Sequence, residues 1–340
     1  MDVVLIPAYE PDEKLIGLVD GLKAEGFFVL VVNDGSGRQY DRIFDAVSSE
    51  AEVICLAQNS GKGAALKFGM NYIKTNLTDC THFITCDADG QHKVEDVVRV
   101  REKLHSGETF VLTVRRHRHG IPFRSWFGNA LSRFVYTVLA SHYLSDNQSG
   151  LRGFAVENID WLLKVKKDNY DYEMNMLYYA NKQGIKISTL LIEAIYIDNN
   201  QSSHFKPVSD TVKIYKCLFS SAMGSFIPFF AVQMLLLIFS ITVGYDYLFL
   251  TVPGLGGIYC LLNIGINRFI IFKNVCYRDY LSTLIYSVMY YFVYTFGCLL
   301  FKFAAPAVPL IVAFNITFVE FIPLRYYLHK FMYLAMKTKS

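Results

Sequence analysis

Charge is scarce in this chain, and so is any pattern among its cysteines. Only 19% of the 340 residues are charged, against 53% hydrophobic. That balance is too apolar for an ordinary soluble protein of this length. The seven cysteines form no C-x-x-C pair and no framework spacing. Free thiols in a reducing compartment fit better than disulfides or bound zinc. No stretch has the full G-x-x-x-x-G-K-[ST] form of a phosphate loop. Nothing at the amino end resembles a signal peptide, since an apolar strand begins at about Val3. The amino-terminal domain is therefore expected to stay in the cytoplasm. A net charge of +3 points to no particular partner, and no nucleic acid is expected.

What the chain does have is unevenly spread. Residues 1 to about 210 alternate charged and apolar segments, and from about 217 long apolar runs dominate. In the first part VVLIP (3–7), FFVLVVNDGS (27–36), EVICLA (52–57) and THFITC (81–86) read as buried strands. Helical segments separate them at about 12–25 and 39–49, and a glycine turn leading into a helix occupies 58–74. Strands alternating with helices predict an α/β domain with a mostly parallel, Rossmann-like sheet. Right-handed crossovers then collect the strand-end loops on one edge. Those loops carry Tyr9 and Glu10, the NDGS turn with Asp34, SGKG with Lys62 and Gly63, and DADGQ.

DADGQ (87–91) is the stretch around which the rest is arranged. It ends a strand with Asp87 and Asp89 one residue apart, then Gln91. Two carboxylates and an amide oxygen make a hard, oxygen-only half-shell suited to Mg²⁺ or Mn²⁺. A lone D-x-D is equally an acidic surface turn, and NDGS alone is a common tight turn. SGKG at a helix start can face a phosphate. The loops acquire meaning from their convergence.

IPAYEPDEKL, VVNDGSG, NSGKGAAL and CDADGQH together resemble family-2 glycosyltransferases of the polyprenyl-phosphate type, the dolichyl-phosphate mannose synthase group. The resemblance covers residues 1 to about 210 and implies a GT-A fold, a nucleotide-sugar donor and inverting transfer. It places Pro7, Tyr9, Glu10 and Asp34 at the nucleoside, and Lys62 and Gly63 near the donor. It makes Asp87, Asp89 and Gln91 metal ligands, with Ala88 between them. The family's first motif usually has Asn before its acidic residue, where this chain reads AYEP. In the basic loop RRHRHGIPFRSW (115–126) and the helix after it, Arg115, Arg124, Asn129 and Ser132 correspond to groups that bind the lipid phosphate. The same loop is also a plausible solvated face. SDNQSGLRGF (145–154) brings Asp146, Gln148 and Arg152 to the sugar pocket, and Glu173 stands in the place of a family acidic residue. SHFKP (203–207) resembles a loop that closes over the donor, with His204 and Lys206 near phosphate.

Residues 208–216 pattern as an amphipathic interfacial helix. Four apolar spans follow at about 217–241, 247–272, 280–303 and 307–328, each near the length that crosses a bilayer. Basic residues such as Lys213, Lys273, Arg278 and Lys330 place both termini in the cytoplasm. LLNIGINRFIIF (261–272) resembles the GtrA-like four-span family. Arg268 and Glu320 sit near the inner ends of the second and fourth spans, where they are expected to pair or to share a polar network.

The reading is thus a multi-pass membrane enzyme. Its catalytic half moves one sugar from a nucleotide sugar to a polyprenyl phosphate with Mg²⁺ or Mn²⁺. UDP-glucose, UDP-N-acetylglucosamine and GDP-mannose remain open as donors. A processive polysaccharide synthase is disfavoured, since no Q-x-x-R-W stretch occurs. A flippase with a degenerate catalytic half is disfavoured by the intact DADGQ.

Overall fold

The computed structural model describes residues 1–116, 123–140, 143–166, 168 and 171–193, with isolated helical positions between 234 and 327. Its strands are β1 (Asp2–Ala8), β2 (Phe28–Asn33), β3 (Glu52–Cys55), β4 (His82–Thr85), β5 (Phe110–Arg116), β6 (Arg152–Ala155) and β7 (Ser188–Glu193). Its helices are α1 (Lys14–Ala24), α2 (Asp41–Val47), α3 (Lys62–Asn76), α4 (Val94–His105), α5 (Phe123–Ala140), α6 (Ile159–Lys164) and α7 (Asp171–Lys182). The strands form one sheet in the order β3-β2-β1-β4-β6-β5-β7.

β1 is wholly buried from Val3 to Ile6, as a strand covered on both faces must be. α1 buries Leu15, Leu18, Val19 and Leu22, the spacing of one helical face. That face joins Val97, Val100 and Leu104 of α4 in a core against Val4 and Ile6. α3 covers the other face, packing on β1 and β2. Each side chain of this size contributes roughly 1.5–3 kcal/mol on burial.

The parallel expectation holds for β3, β2, β1 and β4, and for β5 against β7. β6 departs from it. The sequence reading places no strand here, yet β6 is inserted antiparallel between β4 and β5. Its four residues, RGFA, are too few to show an alternating pattern. The reversal has a positional consequence. Arg152 begins β6 opposite Thr85, the last residue of β4. The segment before β6 therefore arrives at the edge where β4 ends.

The chain divides into two compact units. The first comprises Met1–Ala130, Ser145–Ala180 and Ile185–Cys217, and contains the sheet. The second comprises Leu131–Leu144, Asn181–Gly184 and Leu218–Ser340. Among the described residues no helix is long and apolar enough to cross a membrane. Most of the four expected spans, the interfacial helix at 208–216, and the Arg268 and Glu320 pair lie outside the described residues. In the second unit the described helical positions Ile285, Met289, Phe292, Phe296, Leu300 and Phe303 expose their side chains.

Candidate active site

Four loops meet at the carboxyl edge of β1, β2 and β4. After β1, Glu10 takes a left-handed backbone, φ +50°, which is uncommon away from glycine. Its N–H donates to the Ser36 hydroxyl at 2.9 Å, and the Ser36 N–H donates to Asn33 Oδ1 at 2.9 Å. The loops after β1 and β2 are thereby tied together. Pro7 still belongs to β1, opposite Val32, and Tyr9 is half-buried beside Glu10.

Asp34 is buried and turned onto the next loop. Its two carboxylate oxygens accept the N–H groups of Ser60 at 2.8 Å and Gly61 at 2.9 Å. Burial pushes its carboxyl up, and those two amides pull it part of the way back. Asp34 thus shapes the turn that delivers Lys62 to the start of α3. Gly63 lies inside the packing: a Cβ there would stand 2.5 Å from Cβ of Tyr172. The N–H of Ala64 donates to the Asp168 carbonyl at 2.8 Å. The glycine lets the amino end of α3 approach α7 closely.

Lys62 occupies the middle of the site. Its Nζ lies 2.7 Å from Asp87 Oδ1 and 2.9 Å from Glu173 Oε2. The side chains of Lys62 and Glu173 are 16% and 13% exposed, so the ammonium is shared by two carboxylates with little water. Burial works against the Lys62 charge, but Asp87 and Glu173 outweigh it and hold the group protonated well above the usual lysine range. Burial likewise opposes the charge on Asp87. Lys62, and then His92, overcome it and keep that carboxyl well below the usual range. His92 Nε2 stands 3.7 Å from Asp87 Oδ2.

Asp89 and Gln91 complete the turn. Asp89 Oδ1 accepts the N–H of Gln91 at 3.0 Å. Burial, and then the charge of Asp87, raise the Asp89 carboxyl. Ala88 is half-buried between the two acids.

The segment before β6 closes the other side. Thr85 donates its hydroxyl to the Gly150 carbonyl at 2.9 Å. A Cβ on Gly150 would fall 2.3 Å from Asp87 Oδ2, so only glycine lets this loop lie against the acid. Arg152 sits beneath the site. It is 1% exposed, and its Nε and Nη1 donate to the carbonyls of Ser149 and Glu173, both at 2.9 Å. Its charge braces Glu173 from below, a position unlike the pocket-lining one expected for it. Gln148 is exposed on this loop.

Arg115, expected on the acceptor side, forks onto Asp146: Nε donates to Oδ2 at 2.7 Å and Nη2 to Oδ1 at 3.1 Å. Burial opposes the Asp146 charge, but Arg115 outweighs it and lowers that carboxyl. On α5, Asn129 is half-buried and Ser132 buried. The side chain of Arg124, and all of His204 and Lys206, lie outside the described residues.

The structure brings together Asp34, Lys62, Asp87, Asp89 and the 146–150 loop, as convergence of loops required. It adds His92, whose approach to Asp87 was not anticipated. The signal was present in DADGQH, where a histidine follows the acids within one turn of chain. Glu173 gains a definite partner that its position alone did not reveal, because Lys62 lies 111 residues away.

The sequence profile of glycosyl transferase family 2 matches residues 3–158. An uncharacterized protein of Methanocaldococcus jannaschii is 30% identical over 208 residues, covering 58% of this chain and 83% of that protein. A UDP-N-acetylglucosamine–dolichyl-phosphate N-acetylglucosaminyltransferase of Methanococcus voltae is 25% identical over 217 residues, covering 57% of this chain and 86% of that enzyme. An undecaprenyl-phosphate 4-deoxy-4-formamido-L-arabinose transferase of Yersinia enterocolitica is 29% identical over 142 residues, 39% of this chain and 42% of that enzyme. Among solved structures, glucosyl-3-phosphoglycerate synthase from Mycobacterium tuberculosis, in complex with Mn²⁺, UDP and glucosyl-3-phosphoglycerate, superposes with a TM-score of 0.50. It is 16% identical and covers 66% of this chain and 79% of that one, a likeness of fold. The mostly parallel mixed sheet is that of the GT-A fold.

Proposed function

The chain belongs to glycosyl transferase family 2, and on that premise we propose that it transfers a single sugar from a nucleotide sugar to a polyprenyl phosphate. The observation that carries the reading is the Asp87 loop at the end of β4, held by Lys62 and enclosed by Gly150. The Methanococcus voltae and Yersinia enterocolitica relatives carry dolichyl phosphate and undecaprenyl phosphate in their names, which supports the acceptor class. UDP-glucose and UDP-N-acetylglucosamine are favoured donors over GDP-mannose.

The donor set fits a hard divalent cation: Asp87, Asp89 and Gln91 offer only oxygen ligands within one short turn. Bound there, Mg²⁺ or Mn²⁺ would neutralise charge on the departing nucleoside diphosphate. Lys62, at the first turn of α3, adds a fixed positive charge where a helix start already favours phosphate. Glu173 and its brace Arg152 keep that ammonium in place. Asp34 orders the preceding turn, and Arg115 orders the 146–150 loop through Asp146.

In the transfer an oxygen of the lipid phosphate attacks the anomeric carbon. The bond from that carbon to the diphosphate oxygen breaks, and its electron pair leaves with the nucleoside diphosphate. Attack from the opposite face inverts the anomeric centre. A phosphate monoester, with a second pKa near ~6, is largely dianionic at neutral pH, so no strong general base is needed. Arg124 and Asn129 are assigned to the acceptor phosphate, whereas the Arg115 guanidinium is committed to Asp146 and Ser132 is buried. The exposed apolar positions Ile285, Met289, Phe292, Phe296, Leu300 and Phe303 recur every three or four residues, which supports a lipid-facing second unit. We place four spans there, with both termini and the catalytic unit in the cytoplasm.

The test is a donor panel assayed with a short polyprenyl phosphate and the detergent-solubilised full chain. One sugar on the lipid phosphate, with release of the nucleoside diphosphate, is expected from a single donor. A polymer, or no product from any donor, would overturn the proposal.

A further inference from the structure

We propose that Asp2, His82 and His105 form a transition-metal site, suited to Zn²⁺, at the sheet edge opposite the donor loops. The three residues come from three different elements. Asp2 opens β1, His82 opens β4, and the two are direct partners in the parallel register. His105 is the last residue of α4. β1 runs from Asp2 to the donor edge at Ala8, a distance of about 20 Å at strand rise. The cluster is thus separate from the Asp87 loop.

The spacing is that of a metal's ligand shell. Zinc–nitrogen and zinc–oxygen bonds of about 2.0–2.1 Å in a tetrahedron separate neighbouring ligands by about 3.3 Å. Here Asp2 Oδ1 lies 3.3 Å from His82 Nδ1 and 3.1 Å from His105 Nε2. All three donor atoms fall within 4.8 Å of one another. The imidazole rings are tilted by 40°, with centroids 5.0 Å apart, so both present ring edges toward one carboxylate.

A second observation points the same way. His82 Nδ1 is buried and has no hydrogen-bond partner, despite the carboxylate beside it. A hydrogen bond needs the proton aligned on the acceptor. A metal between the two atoms would satisfy both. The carboxyl end of α4 also favours positive charge. Cys80 does not compete, because its thiol is engaged with the His82 carbonyl at 3.3 Å.

The donor chemistry distinguishes this site from the first. Two imidazoles and one carboxylate suit Zn²⁺, Co²⁺ or Ni²⁺, whereas Mg²⁺ takes oxygen ligands and water. Three protein ligands leave a fourth position to water. Bound metal would pin the starts of β1 and β4 to the end of α4, far from the transfer chemistry. Its role is then to stabilise the first unit.

The experiment is Zn²⁺ and Co²⁺ titration of the full chain in detergent with Mg²⁺ in large excess, comparing wild type with His105→Ala and Asp2→Asn. The side chain of His105 is 53% exposed, so its removal is compatible with folding. Wild type should take up one Zn²⁺ per chain despite Mg²⁺, and Co²⁺ should give visible d–d absorption. Each substitution should weaken Zn²⁺ binding by about ten-fold or more and abolish the Co²⁺ band. Zn²⁺ should raise the melting temperature of wild type but not of His105→Ala, while transfer activity stays equal. Failure of wild type to bind Zn²⁺ under excess Mg²⁺, or unchanged binding in both variants, would overturn the proposal.

Discussion

At the scale of single residues, Lys62 is the group on which most charge converges. Replacing it with Met leaves Asp87 and Glu173 facing each other in a nearly closed site. Breaking such a pair costs about 3–5 kcal/mol, to be read from chemical denaturation. Adding Glu173→Gln should recover part of that loss, since the second substitution removes an unpaired charge. A double variant no more stable than Lys62→Met would contradict the shared-ammonium arrangement. Asp89 is assigned to the cation and donor rather than to the fold. Asp89→Ala should therefore lower transfer by about 10³-fold, the equivalent of several kcal/mol of lost charge stabilisation. Its circular dichroism and membrane insertion should match wild type. Asp87, Asp89 and Gln91 were legible because strand residues followed by turn residues mark a sheet edge. The contact with His92 was not, because side-chain direction within a turn has no periodic signature.

At the scale of elements, the antiparallel β6 governs the site. Its reversal carries the 146–150 loop back to Asp87, and Gly150 makes the contact possible. Gly150→Ala should displace the carboxylate and lower transfer at least 10²-fold with the sheet intact. Transfer rates checked alongside circular dichroism measure this, and near-normal turnover would contradict it. The same loop is anchored by Arg115 and Asp146, which adds an acid-sensitive component. The Asp146 carboxyl is lowered in the folded state. Its contribution is therefore complete above the unfolded value of about 3.9 and is lost as pH falls through the lower folded value. Wild type should be more stable than Asp146→Asn at neutral pH, and the gap should narrow below about pH 4, as melting at several pH values would show. The alternating helices and strands of residues 1–86 were readable from hydrophobic runs. β6 was not, since four residues containing a glycine carry neither length nor alternation. Arg152 was misplaced for the same reason: once its segment is a central strand, its side chain must point into the protein.

At the scale of the whole molecule, the composition shifts near residue 217, whereas the compact units are not contiguous in sequence: Leu131–Leu144 and Asn181–Gly184 group with Leu218–Ser340. We predict that reporter fusions at either end of the chain report the cytoplasmic side, as an even number of spans requires. Opposite locations for the two ends would contradict four spans. Residue pairs distant in sequence, such as Lys62 with Glu173 or Asp2 with His105, were invisible to pattern reading because the fold alone brings them together. The claim on which the rest depends is that the β4 edge holds a divalent cation together with a nucleoside diphosphate. Titration of Mn²⁺ by paramagnetic resonance, with and without UDP or GDP, tests it most directly. Wild type should gain one tightly held Mn²⁺ per chain when the diphosphate is present, and Asp89→Ala should gain none. Nucleotide-dependent Mn²⁺ binding that persists unchanged in Asp89→Ala would contradict the account.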